Sequence, residues 1–167
     1  MKPDVIIIMG VSGSGKTSVG KAVAAACDIS FIDGDDLHPQ ANIKKMEQGL
    51  PLDDEDRSGW FNRIIDVATE TIEAETGCLI ACSALKRKYR DKLRGSIRLL
   101  RFIYLKASYE RVYEQMSQRA HHFMPVDLLK TQFETLEEPE ISEQDVITIA
   151  IADNVPDTVS AALKALQ

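Results

Sequence analysis

The chain has 167 residues, of which 44% are hydrophobic and 28% are charged, proportions that are ordinary for one globular domain with a sizeable core. Its net charge of −6 comes from 26 acidic and 20 basic residues, which argues against general affinity for nucleic acid or for an anionic membrane. The three cysteines lack metal-finger spacing, and no apolar run is long enough to span a bilayer. We therefore expect one domain over residues 1–167, located in the cytoplasm, with neither nucleic acid nor membrane as a partner.

The first predicted strand, residues 5–9, leads directly into the sequence GVSGSGKT. This sequence fits G-x-x-x-x-G-K-[ST] between a strand and a helix, the pattern of a phosphate-binding P-loop. Its glycines allow successive backbone N–H groups to converge on phosphate oxygens, the lysine can reach the β- and γ-phosphates, and the threonine can ligate Mg²⁺. The predicted nucleotide-binding residues are Gly10, Val11, Ser12, Gly13, Ser14, Gly15, Lys16 and Thr17.

The rest of the chain alternates between predicted strands and helices. Asp53 and Ser108 are suited to be helix N-caps. The order of elements predicts a five-stranded parallel sheet with helices on both faces, a three-layer α/β/α fold. The further strands are predicted over 30–33, 78–83, 99–105 and 146–151, and the helices over approximately 16–27, 39–48, 54–76, 85–94, 108–119, 126–135 and 156–166.

Ligands of such a sheet bind beyond the carboxyl ends of its strands. The second strand ends in an acidic turn, and if the strand pleat continues, Asp33 and Asp35 point the same way into the cleft. The alternative is a solvated turn rich in Asp and Gly. No aspartate ends the third strand, so we expect Mg²⁺ on Thr17, phosphate oxygens and water, with Asp33 as the nearest carboxylate.

Two further segments carry charge near the predicted strand ends. Residues 86–101 hold eight of the 20 basic residues; most of these should face solvent, but Lys86 and Arg90, one helical turn apart, are candidates for holding an anionic substrate. Residues 119–125 contain two of the three histidines. They predict a mobile lid over the phosphates or, alternatively, a surface loop whose histidines titrate near neutrality.

Taken together, these motifs resemble the gluconate kinase family, a relative of shikimate and nucleoside monophosphate kinases. The resemblance implies the P-loop NTPase fold with a mobile lid near residues 119–131, and ATP- and Mg²⁺-dependent phosphorylation of D-gluconate at its terminal hydroxyl. It also implies a homodimer. The motifs that carry it are MGVSGSGKT at 9–17, DGDDLHP at 33–39, PLDDEDRSGW at 51–60, CSALKRKYR at 82–90, FIYLKAS at 102–108 and QFETLEEP at 132–139.

Site roles follow from the same resemblance, position by position. Asp33 resembles the carboxylate near the metal, and Asp35 the residue that contacts the acceptor hydroxyl and acts as a base. Arg119 resembles the lid arginine over the nucleotide phosphates and would act with Lys16 and Asp35 in catalysis. The adenine-contacting loop should include Asn154.

The resemblance also implies a set of substrate contacts. Arg57 resembles the arginine that related kinases place on a substrate carboxylate. His121 stands where the family usually has glycine, directly before His122. The implied substrate-binding residues are Asp35, His38, Arg57, Lys86, Arg90, His122 and Gln132.

Three other functions remain open from the residues alone. One is phosphorylation of a different small acid or alcohol, such as shikimate. Another is a non-catalytic nucleotide switch, although the absence of an N-K-x-D sequence argues against a GTPase. The last is an interaction module that uses the acidic stretches as partner surfaces, whereas charge runs usually only face solvent.

Overall fold

The computed structural model describes residues 4–118 and 126–167. Every predicted strand and helix is present, with ends within three residues of the predicted ones. A short 3-10 turn, Gly34–Leu37, follows the second strand. The elements in chain order are β1 (Val5–Met9), α1 (Lys16–Ala26), β2 (Ser30–Asp33), α2 (Gln40–Glu47), α3 (Asp54–Glu73), β3 (Cys78–Ala81), α4 (Arg87–Ser96), β4 (Leu100–Lys106), α5 (Tyr109–Ser117), α6 (Val126–Thr135), β5 (Val146–Ala150) and α7 (Val155–Leu166).

The five strands form one sheet in the order β2-β3-β1-β4-β5, and all neighbouring strands are parallel. The predicted sheet is therefore confirmed. All five residues of the central strand β1 are buried, as expected of a parallel strand covered on both faces. Because the strands are parallel, their carboxyl ends lie along one edge of the sheet, where the P-loop begins.

Alternate side chains of β1 enter two separate hydrophobic cores. Val5, Ile7 and Met9 pack in the core that contains residues of α3 and α4. Ile6 and Ile8 pack in the core that contains residues of α1 and α7. This period of two follows from the strand pleat, and it confirms the three-layer α/β/α architecture.

Local capping explains where two helices begin. The N–H of Asp56 donates to Asp53 Oδ1 at 2.8 Å, and the N–H of Asp53 donates to Asp56 Oδ2 at 3.0 Å, forming a capping box at the start of α3. Ser108 Oγ accepts from the N–H of Arg111 at 3.2 Å at the start of α5. Both predicted N-caps are confirmed, and each contributes about 1 kcal/mol.

A third, smaller core places α5 and α6 beside the P-loop. It consists of Val11, Leu85, Val112 and Leu129. Within the two described stretches of the chain, none of the helices combines the length and the apolar character needed to cross a membrane.

Candidate active site

The P-loop connects β1 to α1 and folds around its own lysine. Gly13 and Gly15 have φ angles of 78° and 98°, in the left-handed region where a side chain would be strained. Lys16 Nζ donates to the carbonyl oxygens of Gly10 and Val11 at 2.9 and 3.0 Å. The lysine thus closes the loop, with its ammonium group held at the centre.

A cavity of about 770 Å³ opens along the carboxyl edge of the sheet. Its wall contains residues from distant segments of the chain that the sequence predicts to bind nucleotide, to bind metal or to act in catalysis. The strand ends meet there because the strands are parallel. The predicted residues in its wall are Ser12, Gly13, Ser14, Gly15, Lys16, Thr17, Asp33, Asp35, Gln132 and Asn154.

Burial and charge shift the pKa of two groups in this cavity in opposite senses. Burial lowers the pKa of Lys16 to about 8, although the negative charge of Asp35 opposes the shift. The pKa of the Asp35 carboxyl is raised, first by partial burial and then by the negative charge of Asp33. An anionic ligand beside Lys16 would restore the charge of the ammonium group, and Asp35 is tuned toward accepting a proton.

The acidic turn adopts a different geometry from the predicted one. The strand pleat does not continue, because β2 ends at Asp33 and the chain enters the 3-10 turn. Asp33 Oδ1 accepts from the N–H of Asp35 at 3.0 Å and caps this turn. The predicted continuation of the pleat was wrong, yet both carboxylates line the cavity because the turn lies beside the P-loop.

The cavity residues fit a magnesium–nucleotide complex. Ser14 Oγ is buried in the P-loop and bonds to none of the described residues, so its hydroxyl is available to a phosphate oxygen. Thr17 and Asp33 place hard oxygen donors on the same cavity wall. Within 4–118 and 126–167, no group of three or more His, Cys, Asp or Glu side chains is arranged to hold a metal ion. Mg²⁺ needs no such cluster, since it is usually held by one or two protein oxygens, phosphates and water.

His38 and Trp60 join α3 to the acidic turn. The ring of His38 is 7% exposed and stacks on Trp60 with centroids 4.3 Å apart. Trp60 Nε1 donates to the carbonyl of Gly34 at 2.7 Å. A Cβ on Gly34 would overlap the carbonyl oxygen of Ala81, so only glycine allows the turn to lie this close to β3. Trp60 therefore anchors the turn that carries Asp35.

Arg57 and Lys86 meet at Tyr89, a residue that the sequence analysis did not single out. Arg57 Nη1 donates to Tyr89 Oη at 3.3 Å, and Tyr89 Oη donates to Asp54 Oδ1 at 3.0 Å. Lys86 Nζ lies 5.8 Å from the centroid of the Tyr89 ring, within the range of a cation–π interaction. Burial lowers the pKa of His38, the charge of Asp35 opposes this shift and the charge of Arg57 adds to it, so this cationic group lies near the Asp35 side of the site.

Arg90 is a structural residue, and its predicted contact with substrate was wrong. Its side chain is 0% exposed. Its Nε and Nη2 atoms donate to Glu143 at 2.8 and 2.9 Å, and its Nη1 donates to the carbonyls of Ala84 and Leu85. Spacing by one turn placed Arg90 below Lys86, but this part of α4 packs inward against the segment before β5. Each guanidinium nitrogen is therefore occupied by the protein itself.

Gln132 contacts the P-loop directly. Its Oε1 accepts from the N–H of Ser12 at 2.6 Å, and its Nε2 donates to Ser12 Oγ at 2.8 Å. This pair of bonds links α6 to the P-loop. Asn154 also borders the cavity, and its side chain caps α7 by bonding Asp157 at 2.8 and 2.9 Å.

The predicted lid falls largely on residues that the structure does not describe. Arg119 and His122 lie outside the two described ranges. Residues 126–131, the last part of the predicted lid, belong to α6.

The fold and the site together define a P-loop nucleotide-binding protein of the small-molecule kinase class. A family model described as AAA domain matches residues 5–139. The chain is 48% identical over 155 residues to the thermosensitive gluconokinase of Escherichia coli K12, covering 93% of this chain and 83% of that protein. The chain belongs to the gluconokinase family.

Solved structures agree with this assignment. A gluconokinase from Sinorhizobium meliloti 1021 superposes with a TM-score of 0.86 at 46% identity, covering 98% of this chain and 91% of that one. A shikimate kinase from Bacteroides thetaiotaomicron has a TM-score of 0.62 at 14% identity, covering 98% of each chain, and shares the fold alone.

Proposed function

We propose that this chain transfers the γ-phosphoryl group of ATP to the terminal hydroxyl of D-gluconate, giving 6-phospho-D-gluconate and ADP. The observation that carries the proposal is the position of Asp35 in the wall of the cavity that Lys16 and the P-loop also line, in a chain of the gluconokinase family. A proton acceptor and a phosphate-binding loop then face the same volume, as phosphoryl transfer to an alcohol requires.

The chemistry is an in-line displacement at the γ-phosphorus. The hydroxyl oxygen of gluconate forms the new P–O bond, the bond to the β-phosphate oxygen breaks, and Asp35 accepts the hydroxyl proton. Because the transition state is loose, catalysis consists mainly of positioning and of charge neutralisation. Lys16 supplies positive charge at the phosphates, and we propose that Arg119 adds a second charge from the lid.

Mg²⁺ is the proposed metal, and Thr17 and Asp33 are the residues that would hold it. When bound, the ion neutralises charge on the β- and γ-phosphates. The P-loop residues from Gly10 to Thr17 would hold the phosphates, and the backbone near Asn154 would face the adenine.

Gluconate recognition is proposed for the side of the site opposite the nucleotide. Its carboxylate requires a cation, and Arg57 with Lys86 provides two beside Tyr89. Its hydroxyls require mixed donors and acceptors, which His38 and Asp35 supply. We propose that His122 and Gln132 complete the site when the lid closes. We also propose that the chain is a single domain with its lid at residues 119–131, that it forms a homodimer and that it is located in the cytoplasm.

A coupled assay for 6-phosphogluconate, with ATP, Mg²⁺ and gluconate, tests this function directly. Shikimate, glucose and nucleoside monophosphates serve as parallel acceptors. Product from gluconate alone is the expected result. Turnover of another acceptor with gluconate inert would refute the substrate, and ATP binding without turnover of any acceptor would favour a nucleotide switch.

A further inference from the structure

Asn42, on α2, is a buried polar residue to which the proposed chemistry gives no role. It is 2% exposed, and its amide nitrogen contacts two acceptors. Nδ2 lies 2.9 Å from the carbonyl oxygen of Asp56 and 3.3 Å from Nδ1 of His38. Asn42 thus lies behind a predicted substrate-binding histidine, bonded on its other side to the first turn of α3.

The contact with Asp56 determines which way the amide of Asn42 faces. A backbone carbonyl only accepts hydrogen bonds, so the atom that faces it must be the amide nitrogen, which carries two hydrogens. One hydrogen points to the carbonyl of Asp56, and the other faces Nδ1 of His38. That ring nitrogen must therefore be an acceptor without a proton.

A neutral imidazole with a lone pair on Nδ1 carries its hydrogen on Nε2. A second proton on His38 would place an N–H of the ring against an N–H of Asn42, so the contact also opposes the cation. The surroundings of His38 also favour its neutral form overall. Burial against Trp60 and the charge of Arg57 lower the pKa of His38, while the carboxylate of Asp35 opposes them.

We propose that Asn42 is a positioning residue that holds His38 as the neutral Nε2–H tautomer, so that this ring offers the substrate a hydrogen-bond donor. This inference rests on the proposed function for the identity of the substrate. The consequence is a division of roles: His38 donates to an oxygen of the polyol, and only Asp35 is left to accept the proton of the reacting hydroxyl. His38 then fixes the acceptor without competing for its proton.

The direct test is the side-chain ¹⁵N spectrum of His38 in the whole protein at about pH 7, where histidine tautomers have distinct long-range ¹H–¹⁵N patterns. Comparison with His38→Gln assigns the signals, since the chain has three histidines. The expected wild-type pattern is a protonated Nε2 and an unprotonated Nδ1. A protonated Nδ1, in the other tautomer or in the cation, would overturn the proposal without any measurement of activity.

Two variants test whether Asn42 causes the tautomer. Asn42→Asp replaces the donor by an acceptor, so Nδ1 of His38 should become protonated. Asn42→Ala removes the contact and should leave a mixture of tautomers. Gln40→Asp is the matched control, because Gln40 is exposed on the same helix and the same charge is added there without touching His38. An unchanged His38 pattern in both Asn42 variants would overturn the assignment.

Kinetics separate positioning from a purely structural role. We expect Asn42→Ala to lower kcat/KM for gluconate by roughly tenfold, the effect of one misplaced hydrogen bond, with the KM for ATP unchanged. Equal losses for both substrates would instead indicate a folding defect and overturn the positioning role. If gluconate proves not to be the substrate, the spectrum still decides the tautomer, so failure of this inference and failure of the proposed function are distinguishable.

Discussion

Lys16 both organises the P-loop and carries a charge that depends on its surroundings. Its two bonds to the carbonyls of Gly10 and Val11 hold the loop, while burial lowers its pKa to about 8. Bound phosphates would favour the ammonium form. The occupancy of the site should therefore depend on pH through the protonation of Lys16.

We expect ATP binding to take up a proton above about pH 8, because free Lys16 is then largely neutral and the bound form is charged. Affinity should fall by up to about tenfold for each further pH unit. Isothermal titration calorimetry in buffers of different ionisation enthalpy measures the uptake. Lys16→Arg, which stays charged, should abolish it, and equal uptake near pH 7 and pH 9 would contradict the shifted pKa.

Asp35 and Asp36 offer a matched pair of carboxylates on one short turn. Only Asp35 lines the cavity, so Asp35→Asn should lower kcat by about 10²- to 10⁴-fold, the usual contribution of a general base. ATP binding should persist. Asp36→Asn removes the same charge next to it and should leave kcat within about threefold of the wild type. Near-normal turnover of Asp35→Asn would remove this residue from the mechanism.

Arg57 is the proposed partner of the gluconate carboxylate. Arg57→Ala should raise the KM for gluconate by about tenfold or more, because a charged hydrogen bond is worth about 1.5–3 kcal/mol, and should leave the KM for ATP nearly unchanged. Steady-state kinetics with each substrate varied in turn measures the difference. Tyr89→Phe keeps the ring and removes the bond at 3.3 Å, so a smaller change in the same direction is expected. Equal effects of Arg57→Ala on both substrates would contradict the role.

Some residues of helix α4 contact the proposed substrate side of the site, and others contact the edge of the sheet. Tyr89 extends toward Arg57 on α3. Arg90 and Arg94 instead bind the segment before β5, where Arg94 donates to Glu143 and to Asp145 at 2.7 Å. The ion pairs and the substrate-side residues are therefore carried by one rigid element.

Breaking the buried pair should cost much more than breaking an exposed one on the same helix. Arg90→Met leaves the buried carboxylate of Glu143 with its bond from Arg94 but without those from Arg90 and should destabilise the fold by up to about 3–5 kcal/mol, whereas Arg90→Met with Glu143→Leu should recover most of the loss. Arg87→Met is the control, since Arg87 pairs with Glu140 at 2.9 Å in a more exposed position, worth at most about 1 kcal/mol. Chemical denaturation measures all three, and similar losses for Arg87 and Arg90 would refute the distinction.

The same pair predicts a dependence of stability on acid pH. The hydrogen bonds from Arg90 lower the pKa of Glu143 from about 4.5 to about 2. The stabilisation is therefore complete above about pH 4.5 and is lost as the pH falls through 2. Unfolding free energies should show a smaller acid-induced loss in Glu143→Gln than in the wild type across this window. The same loss in both proteins would show that the acid-induced loss of stability comes from a group other than Glu143.

On the scale of the whole molecule, the cavity is lined by the P-loop and by residues of α1, β2, β3, α5, α6 and α7. Ligand binding there should stabilise the entire fold, because a ligand that binds only the native state shifts the unfolding equilibrium. At about 100 times its Kd, Mg–ATP should contribute about 2.7 kcal/mol and raise the Tm by roughly 5–10 °C for a chain of this length. Differential scanning fluorimetry measures the shift. Lys16→Ala should lose most of it and Asp35→Asn should retain it, while no shift in the wild type would argue against a nucleotide site.

The sheet, the layers and the P-loop are predictable from the sequence, because each follows from local information. Alternating apolar runs and helical patterns specify the order of elements, and glycines around Lys16 specify the loop. The N-caps Asp53 and Ser108 are equally predictable from the sequence, since an N-cap bonds only to residues in the first turn of the helix that it begins. The motifs around Asp35, Arg57 and Lys86 also indicated the family that the comparisons then showed.

The contacts that each side chain on those elements makes depend on how the chain folds in three dimensions. Helical spacing placed Arg90 with Lys86, but Glu143 lies 53 positions away in sequence, and no local pattern reveals such a partner. The strand pleat suggested how Asp33 and Asp35 point, whereas a 3-10 turn bound to Trp60 and packed on Ala81 orients them. Tyr89 carries no sequence signal because Arg57, which it contacts, lies 32 positions away, and the carbonyl of Asp56 that Asn42 bonds lies 14 positions away. Contacts between distant segments depend on how the layers pack. The physical cause is that packing energy comes from residues that meet only when the whole chain folds.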